Sequence, residues 1–177
     1  MTRNVSKILR IPFFNSFAVT LMVFLFSMGG EARSGVINPE LEFDVMHRAC
    51  LSYLGGDNSA ILALGNKGYA VRKRRNRIIA SKKSTVNQAP NAFITIGKKI
   101  PARAKRTCQI EVSRIRYSLG QKIHSNGILK LISAGIIPDK SNGILFPKFR
   151  RGTEVFVVQY KFNKSAGIYS LTLSKLK

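Results

Sequence analysis

The chain of 177 residues contains no tryptophan and has only two cysteines, two histidines and eight acidic residues. So few acids argue against an acid–base hydrolase, which needs two convergent carboxylates. A Ser-His-Asp triad would have to use His47 or His124, and each is better explained as a surface or structural residue. Because a triad has no fixed order along a sequence, that alternative stays open.

Phosphate-binding and metal-binding motifs are also missing. The segment "GNKGYAVRK" (65–73) has glycines and basic residues but not the spacing of a P-loop. The segment "GGDNSA" (55–60) resembles part of a calcium loop but lacks the further acids and the terminal glutamate. The sequence therefore predicts a protein that is not an enzyme and has no cofactor and no metal site.

The first 32 residues have the three regions of a secretory signal. "MTRNVSKILR" supplies three basic residues, "FAVTLMVFLFSM" (17–28) is apolar, and Gly30-Glu31-Ala32 is a small-x-small cleavage site. We expect cleavage after Ala32 and export by the Sec route, to the periplasm or the outside. A retained N-terminal membrane anchor is the alternative, because counting from Ile11 extends the run to eighteen residues.

The remaining segment, residues 33–177, is strongly basic. Removing Arg3, Lys7, Arg10 and Glu31 leaves 27 basic and seven acidic residues, a net charge of +20. Such a charge favours an anionic partner, and nucleic acid, a lipid or lipopolysaccharide surface, an acidic glycan and an acidic protein patch all qualify. A basic composition without any such partner is the alternative. The length suits one domain with its own core.

Cys50 and Cys108 are an even pair in a chain predicted to reach an oxidising compartment, which favours one disulfide. Helical spacing places Cys50 on the apolar face of its segment. Strand alternation places Cys108 on one face with Ile110 and Val112. Both thiols are therefore predicted to point inward and to meet. A metal pair or a nucleophilic thiol is a weaker alternative, since neither cysteine belongs to a C-x-x-C pair.

Hydrophobic periodicity predicts an α+β fold. An N-terminal helical hairpin and a third helix would pack on a mainly antiparallel sheet. The predicted helices cover Asn38–Leu54, a shorter stretch from Asp57 to about Gly65–Gly68, and residues 118–135 with a break at Asn126-Gly127. The predicted strands cover Val71–Lys82, Ala92–Gly97, Thr107–Ile115, "ILFP" (144–147), "EVFVVQYKF" (154–162) and "IYSLTLSKL" (168–176).

Basic residues concentrate in three clusters, and all of them except Lys82 and Lys83 are the predicted binding residues. The first holds Arg72, Lys73, Arg74, Arg75 and Arg77, with Lys82 and Lys83; the second Lys98, Lys99, Arg103, Lys105 and Arg106; the third Lys148, Arg150 and Arg151. If "VRKRRNR" (71–77) is extended, Arg72 and Arg74 share one face and Lys73, Arg75 and Arg77 the other. It is therefore predicted to be an edge strand, a protruding hairpin arm or a loop.

The leader "RNVSKILRIPFFNSFAVTLMVFLFSMGGEA" (3–32), with one candidate disulfide and no enzymatic motif, resembles small Sec-exported effectors of host-associated bacteria. The resemblance implies a virulence-type factor that binds a host or envelope protein. The basic stretch at 71–77 would become a nuclear-import address if the protein entered a eukaryotic cell. No functional residue is carried over from this class.

The alternative function is a periplasmic or cell-surface protein that binds anionic lipid, glycan or nucleic acid through its basic clusters. Nucleic acid is disfavoured by the predicted export, by the absence of tryptophan and by the lack of an RRM, helix-turn-helix or zinc signature.

Overall fold

The structure of the protein is a computed structural model that describes residues 35–97, 103–139 and 148–177. The predicted leader, the cations Lys98 and Lys99, and the predicted strand at 144–147 lie outside these ranges. Within them, no helix is both long enough and apolar enough to cross a membrane.

Helix α1 spans Pro39–Gly55 and confirms the first predicted helix. Asn38 caps it, because its side-chain oxygen accepts hydrogen bonds from the backbone N–H groups of Glu40 and Leu41, at 3.0 and 3.3 Å. The helix ends at Gly56, whose φ of 124° is a conformation that favours glycine. Its apolar side is buried, which places Cys50 against the sheet.

The second predicted helix is wrong in type, because Leu62–Lys67 forms a short 3-10 helix. The stretch that follows α1 offers only Ile61 and Leu64 as buried large apolar side chains, too few for the apolar face of an α-helix. Gly68 closes this element with a φ of 78° and leads the chain back to the sheet. Among the residues that the structure describes, the helical part before the sheet is therefore one α-helix and one short 3-10 helix.

Eight antiparallel strands form one sheet within the described residues, in the order β1-β2-β3-β4-β8-β7-β6-β5. They span Ala70–Arg74 (β1), Arg77–Lys83 (β2), Asn91–Ile96 (β3), Ala104–Ser113 (β4), Ile137–Pro138 (β5), Lys148–Arg151 (β6), Glu154–Asn163 (β7) and Ile168–Leu176 (β8). Helix α2, Tyr117–Ser133, lies between β4 and β5 in the chain. The predicted combination of helices with a mainly antiparallel sheet is confirmed.

The strand predicted at Val71–Lys82 is instead a hairpin, since β1 and β2 are joined by the two-residue turn Arg75-Asn76. Arg75 has a φ of 48°, as tight hairpin turns require. Cross-strand partners share a face, so the pairing of Arg74 with Arg77 places Arg77 on the face of Arg72 and Arg74. The prediction that Arg77 shares the face of Lys73 was wrong, because the two-residue turn interrupts the alternation of side chains between the two faces of the sheet.

Helix α2 is continuous, so the predicted break at Asn126-Gly127 was also wrong. Gly127 faces the core, and a Cβ placed there would lie 3.2 Å from the ring of Phe43 in α1. Gly120 is similar, because a Cβ there would lie 2.9 Å from the ring of Phe162 in β7. Packing of these rings offsets the poor helix propensity of glycine.

The core lies between the helices and one face of the sheet, and its central rows include Ile94, Ile110 and Leu171. Here α1 is bonded to β4 by the predicted disulfide between Cys50 and Cys108, which is confirmed. Their Cα atoms are 5.7 Å apart and both residues are fully buried.

Candidate anion-binding site

The register of the sheet brings described cations of all three basic clusters to one end, whereas Lys82 and Lys83 lie at the opposite end of β2. The end that the three clusters share, here called the basic end, contains the β1–β2 turn, the start of β4, the β6–β7 turn and the end of β8. The cross-strand pairs show that these segments share one end of the sheet. Ile78 of β2 lies opposite Ile96 of β3, and Ile96 lies opposite Cys108 of β4. Two residues before Cys108, Arg106 lies opposite Lys175 of β8. Arg151 and Glu154 then close the β6–β7 turn at the same end.

One cross-strand row runs through Thr107, Ser174, Val157 and Lys148. Ile78 of β2 aligns with Cys108 of β4 through Ile96 of β3, so Arg77, which precedes Ile78, aligns with Thr107 and lies at the β2 end of the same row. Five strand intervals separate β2 from β6, which at about 4.8 Å each gives a basic edge of about 24 Å. The row therefore has a cation at each end, Arg77 and Lys148, and buried uncharged residues between them.

The β1–β2 turn, here called the N-terminal tip, carries exposed cations. Lys73, Arg74, Arg75 and Arg77 are exposed, and within the described residues none of them forms an ion pair. Lys73 pairs with Ile78 and so projects on the side of the helices, whereas Arg74 and Arg77 project on the opposite face. Of the predicted alternatives, the stretch is thus an edge strand with its hairpin turn, and it carries positive charge on both faces.

The β6–β7 turn, here called the C-terminal tip, differs because its cations have acidic partners. Arg150 pairs with Asp139, and Arg151 pairs with Glu154 at 2.7 Å. Lys175 also bonds Glu154, and this bond, followed by that from Arg151, lowers the pKa of the Glu154 carboxyl. These ion pairs within the chain neutralise much of the positive charge at this tip.

Two further predicted cations are held by structural contacts. The Arg106 guanidinium donates to the Tyr53 carbonyl at 2.7 Å and to the Asn58 side-chain oxygen at 2.8 Å. It also lies 5.0 Å from the centroid of the Tyr53 ring. Lys82 donates at 2.7 Å to the buried carboxylate of Glu42, at the far end of the sheet. Lys82 therefore ties α1 to β2.

A groove of about 420 Å³ lies beside the N-terminal tip. It is lined by Tyr53, Asn58, Lys73, Arg75, Asn76, Arg77, Ile78, Ile96 and Gly97. The end of α1 forms one wall, the β1–β2 turn forms the other, and two isoleucines lie between them. The groove therefore combines apolar, amide and cationic groups. A second cavity of about 480 Å³, lined by Lys105, Lys175 and Lys177 among others, lies at the ends of β4 and β8.

Among the described residues, neither histidine has a hydrogen bond to a serine or an acidic side chain. His47 is fully buried and stacks on Phe43, and burial lowers its pKa from 6.5 to about 4. His124 lies 3.1 Å from the Tyr169 hydroxyl and against the ring of Tyr160, and burial lowers its pKa as well. In the part of the chain that the structure describes, no group of three histidine, cysteine or acidic residues could hold a metal ion.

Sequence reasoning missed several residues of this site. Lys175 and Lys177 reach the basic end only because β8 pairs antiparallel with β4, and the strand pattern at 168–176 was the one signal for them. Tyr53 and Asn58 had no local signal, since they face the hairpin only after α1 has packed on the sheet.

No family model, no curated protein and no solved structure matches the chain.

Proposed function

We propose that the protein is an exported, non-catalytic binding protein whose basic end engages a linear anionic polymer. One observation carries the proposal: cations far apart in the sequence occupy the same end of the sheet, along about 24 Å. Clustered charge of one sign raises the local concentration of an anionic partner and accelerates its association. The predicted leader supports encounter outside the cytoplasm.

The linear arrangement favours a polymer over a compact anion. A small anion would satisfy one tip only, whereas a chain of phosphate or sulfate groups can contact cations at both tips at once. The N-terminal tip would contribute most, because its exposed cations form no ion pair within the described residues.

A second candidate is an effector that binds an acidic protein. Its support comes from α2, where Leu129 and Ile132 are 63% and 41% exposed and stand three residues apart on one side of the helix. An apolar contact flanked by charge is typical of protein interfaces.

The test measures binding of the purified protein to heparin and to polyphosphate over a range of salt concentrations. We expect the logarithm of the association constant to fall linearly with the logarithm of salt concentration, as counterion release requires. Parallel capture from bacterial and host extracts is washed at the same salt concentrations. Absence of polymer binding at low salt, with one protein retained at high salt, would reject the polymer and favour the effector.

A further inference from the structure

The groove at the N-terminal tip has features that a polyanion of phosphates or sulfates alone would not use. We infer that it receives one unpaired base of a single-stranded nucleic acid whose phosphates lie along the basic end. The inference rests on the proposed function, which supplies the phosphate contacts, and it adds the class of polymer.

Three cations of the groove suit the phosphates on either side of such a base. Lys73 projects on the side of the helices, Arg77 projects on the opposite face, and Arg75 stands in the turn between them. All three are exposed, and none is paired with an acid in the described ranges. A nucleotide chain crossing the turn can therefore place successive phosphates near different cations.

Tyr53 supplies the aromatic surface that a splayed base requires. Tyr53 lines the groove and is partly buried, and the Arg106 guanidinium lies over one face of its ring, held there by its hydrogen bond to the Tyr53 carbonyl. Aromatic rings and arginine guanidinium planes are the groups on which unstacked bases rest in single-strand binding proteins. Ile78 and Ile96 extend this surface with apolar atoms.

Asn58 supplies a polar group whose orientation is fixed. Its side-chain oxygen accepts from Arg106, so the amide NH₂ is left as its donor toward other partners. A donor next to an aromatic ring can bond a carbonyl oxygen or ring nitrogen on the edge of a base. Sulfated sugars and polyphosphate offer no flat ring to match this combination.

The shape of the groove is set by a close backbone approach. Gly97 has a φ of 89°, and a Cβ placed there would lie only 1.9 Å from the Asn76 carbonyl oxygen of the hairpin turn. The turn is therefore seated directly on the end of β3, and its cations are held beside the groove. The site draws on four separate chain segments, which explains why no nucleic-acid motif marks it in the sequence.

The test compares two fluorescent single strands of about twelve nucleotides, oligothymidylate and an abasic strand of the same length and charge. We expect the protein to bind oligothymidylate about tenfold more tightly than the abasic strand, as one stacked base allows. Tyr53→Leu should remove this difference. Tyr53→Phe should keep the difference, because the ring remains.

Tyr160→Leu is the matched control, since Tyr160 is an exposed tyrosine in β7, away from the groove. It should retain the tenfold preference. Asn58→Ala, which leaves the aromatic ring in place, should weaken the preference by a smaller factor, and the thermal unfolding of each variant verifies that it folds.

Equal affinity of the wild-type protein for the two strands would overturn the inference while leaving the proposed polyanion binding intact. Binding of neither strand, together with no binding of heparin, would instead reject the proposed function itself. Retention of the preference in Tyr53→Leu would also overturn the inference, because the base would then rest elsewhere.

Discussion

The two halves of the sheet have the same strand arrangement but different surroundings. Each half is a 17-residue helix followed by a four-stranded antiparallel meander, and the halves meet where β4 pairs with β8. The strand order is therefore symmetric about the centre. The helices do not follow this symmetry, because Glu40 and Asp44 of α1 pair in order with Lys122 and Lys130 of α2, so both helices run in the same direction.

The difference extends to how each half is held and charged. In the N-terminal half, a disulfide bonds the helix to the sheet, and the tip cations have no acidic partners among the described residues. In the C-terminal half, close ring contacts at Gly120 and Gly127 hold the helix, and Glu154 and Asp139 pair with the tip cations. Similar strand arrangements thus leave one tip whose cations have no acidic partner among the described residues and one tip whose cations are paired with acids.

The largest expected effect comes from removing the covalent tie of the N-terminal half. The double variant Cys50→Ala with Cys108→Ala should lower the free energy of unfolding by about 4 kcal/mol, because the bond closes a loop with a sequence separation of 58. Urea denaturation measures this change. Hydrogen exchange should show that α1 loses more protection than α2. An unchanged urea midpoint would contradict the stabilising role assigned to the disulfide.

The histidines of the two helices give the next contrast. His47 is fully buried, and neither of its ring nitrogens has a hydrogen-bond partner among the described groups. Its pKa falls to about 4 in the folded protein, whereas the unfolded chain keeps the ordinary value near 6.5. The unfolded state therefore binds more protons between these pH values. The contribution of His47 to the free energy of unfolding is fully present above pH 6.5. It falls by on the order of 3 kcal/mol as the pH is lowered toward 4.

The measurement is the free energy of unfolding as a function of pH for the wild type, His47→Phe and His124→Phe. His47→Phe should flatten the curve between pH 6.5 and 4. His124→Phe should change it less, because His124 is only partly buried. Identical slopes for the wild type and His47→Phe would show that His47 does not titrate in this manner.

Local patterns in the sequence predicted much of the fold. The cap at Asn38, the presence of strands β7 and β8, and the inward faces of Cys50 and Cys108 all follow from short-range spacing. The turn at Arg75-Asn76 was not recognised, because neither residue is the glycine that usually marks a tight hairpin.

The arrangement of the site could not be predicted from local patterns. Whether the basic clusters share one end depends on the pairing of β4 with β8, a contact between distant segments. The continuity of α2 depends in the same way on the ring of Phe43, which lies in another helix. Periodicity reports which face of an element is buried, but it does not report which element covers it.

A smaller effect on stability is expected from replacing the glycines near the two tips. Gly97 and Gly152 both have positive φ, but a Cβ at Gly97 would clash with Asn76, whereas a Cβ at Gly152 would meet open space. Gly97→Ala should cost about 2 kcal/mol of unfolding free energy, and Gly152→Ala about 1 kcal/mol. Thermal and urea unfolding measure both. Equal costs would show that the hairpin turn is not seated on Gly97.

The central claim is that the N-terminal tip is the main anion contact, and matched charge removal tests it most directly. One variant replaces Lys73, Arg75 and Arg77 with alanine, and the other replaces Lys148, Arg150 and Arg151. For heparin binding, we expect the first to reduce the slope of log association constant against log salt concentration by about two to three, and the second by less than about one. Equal reductions, or a larger reduction in the second variant, would contradict the account.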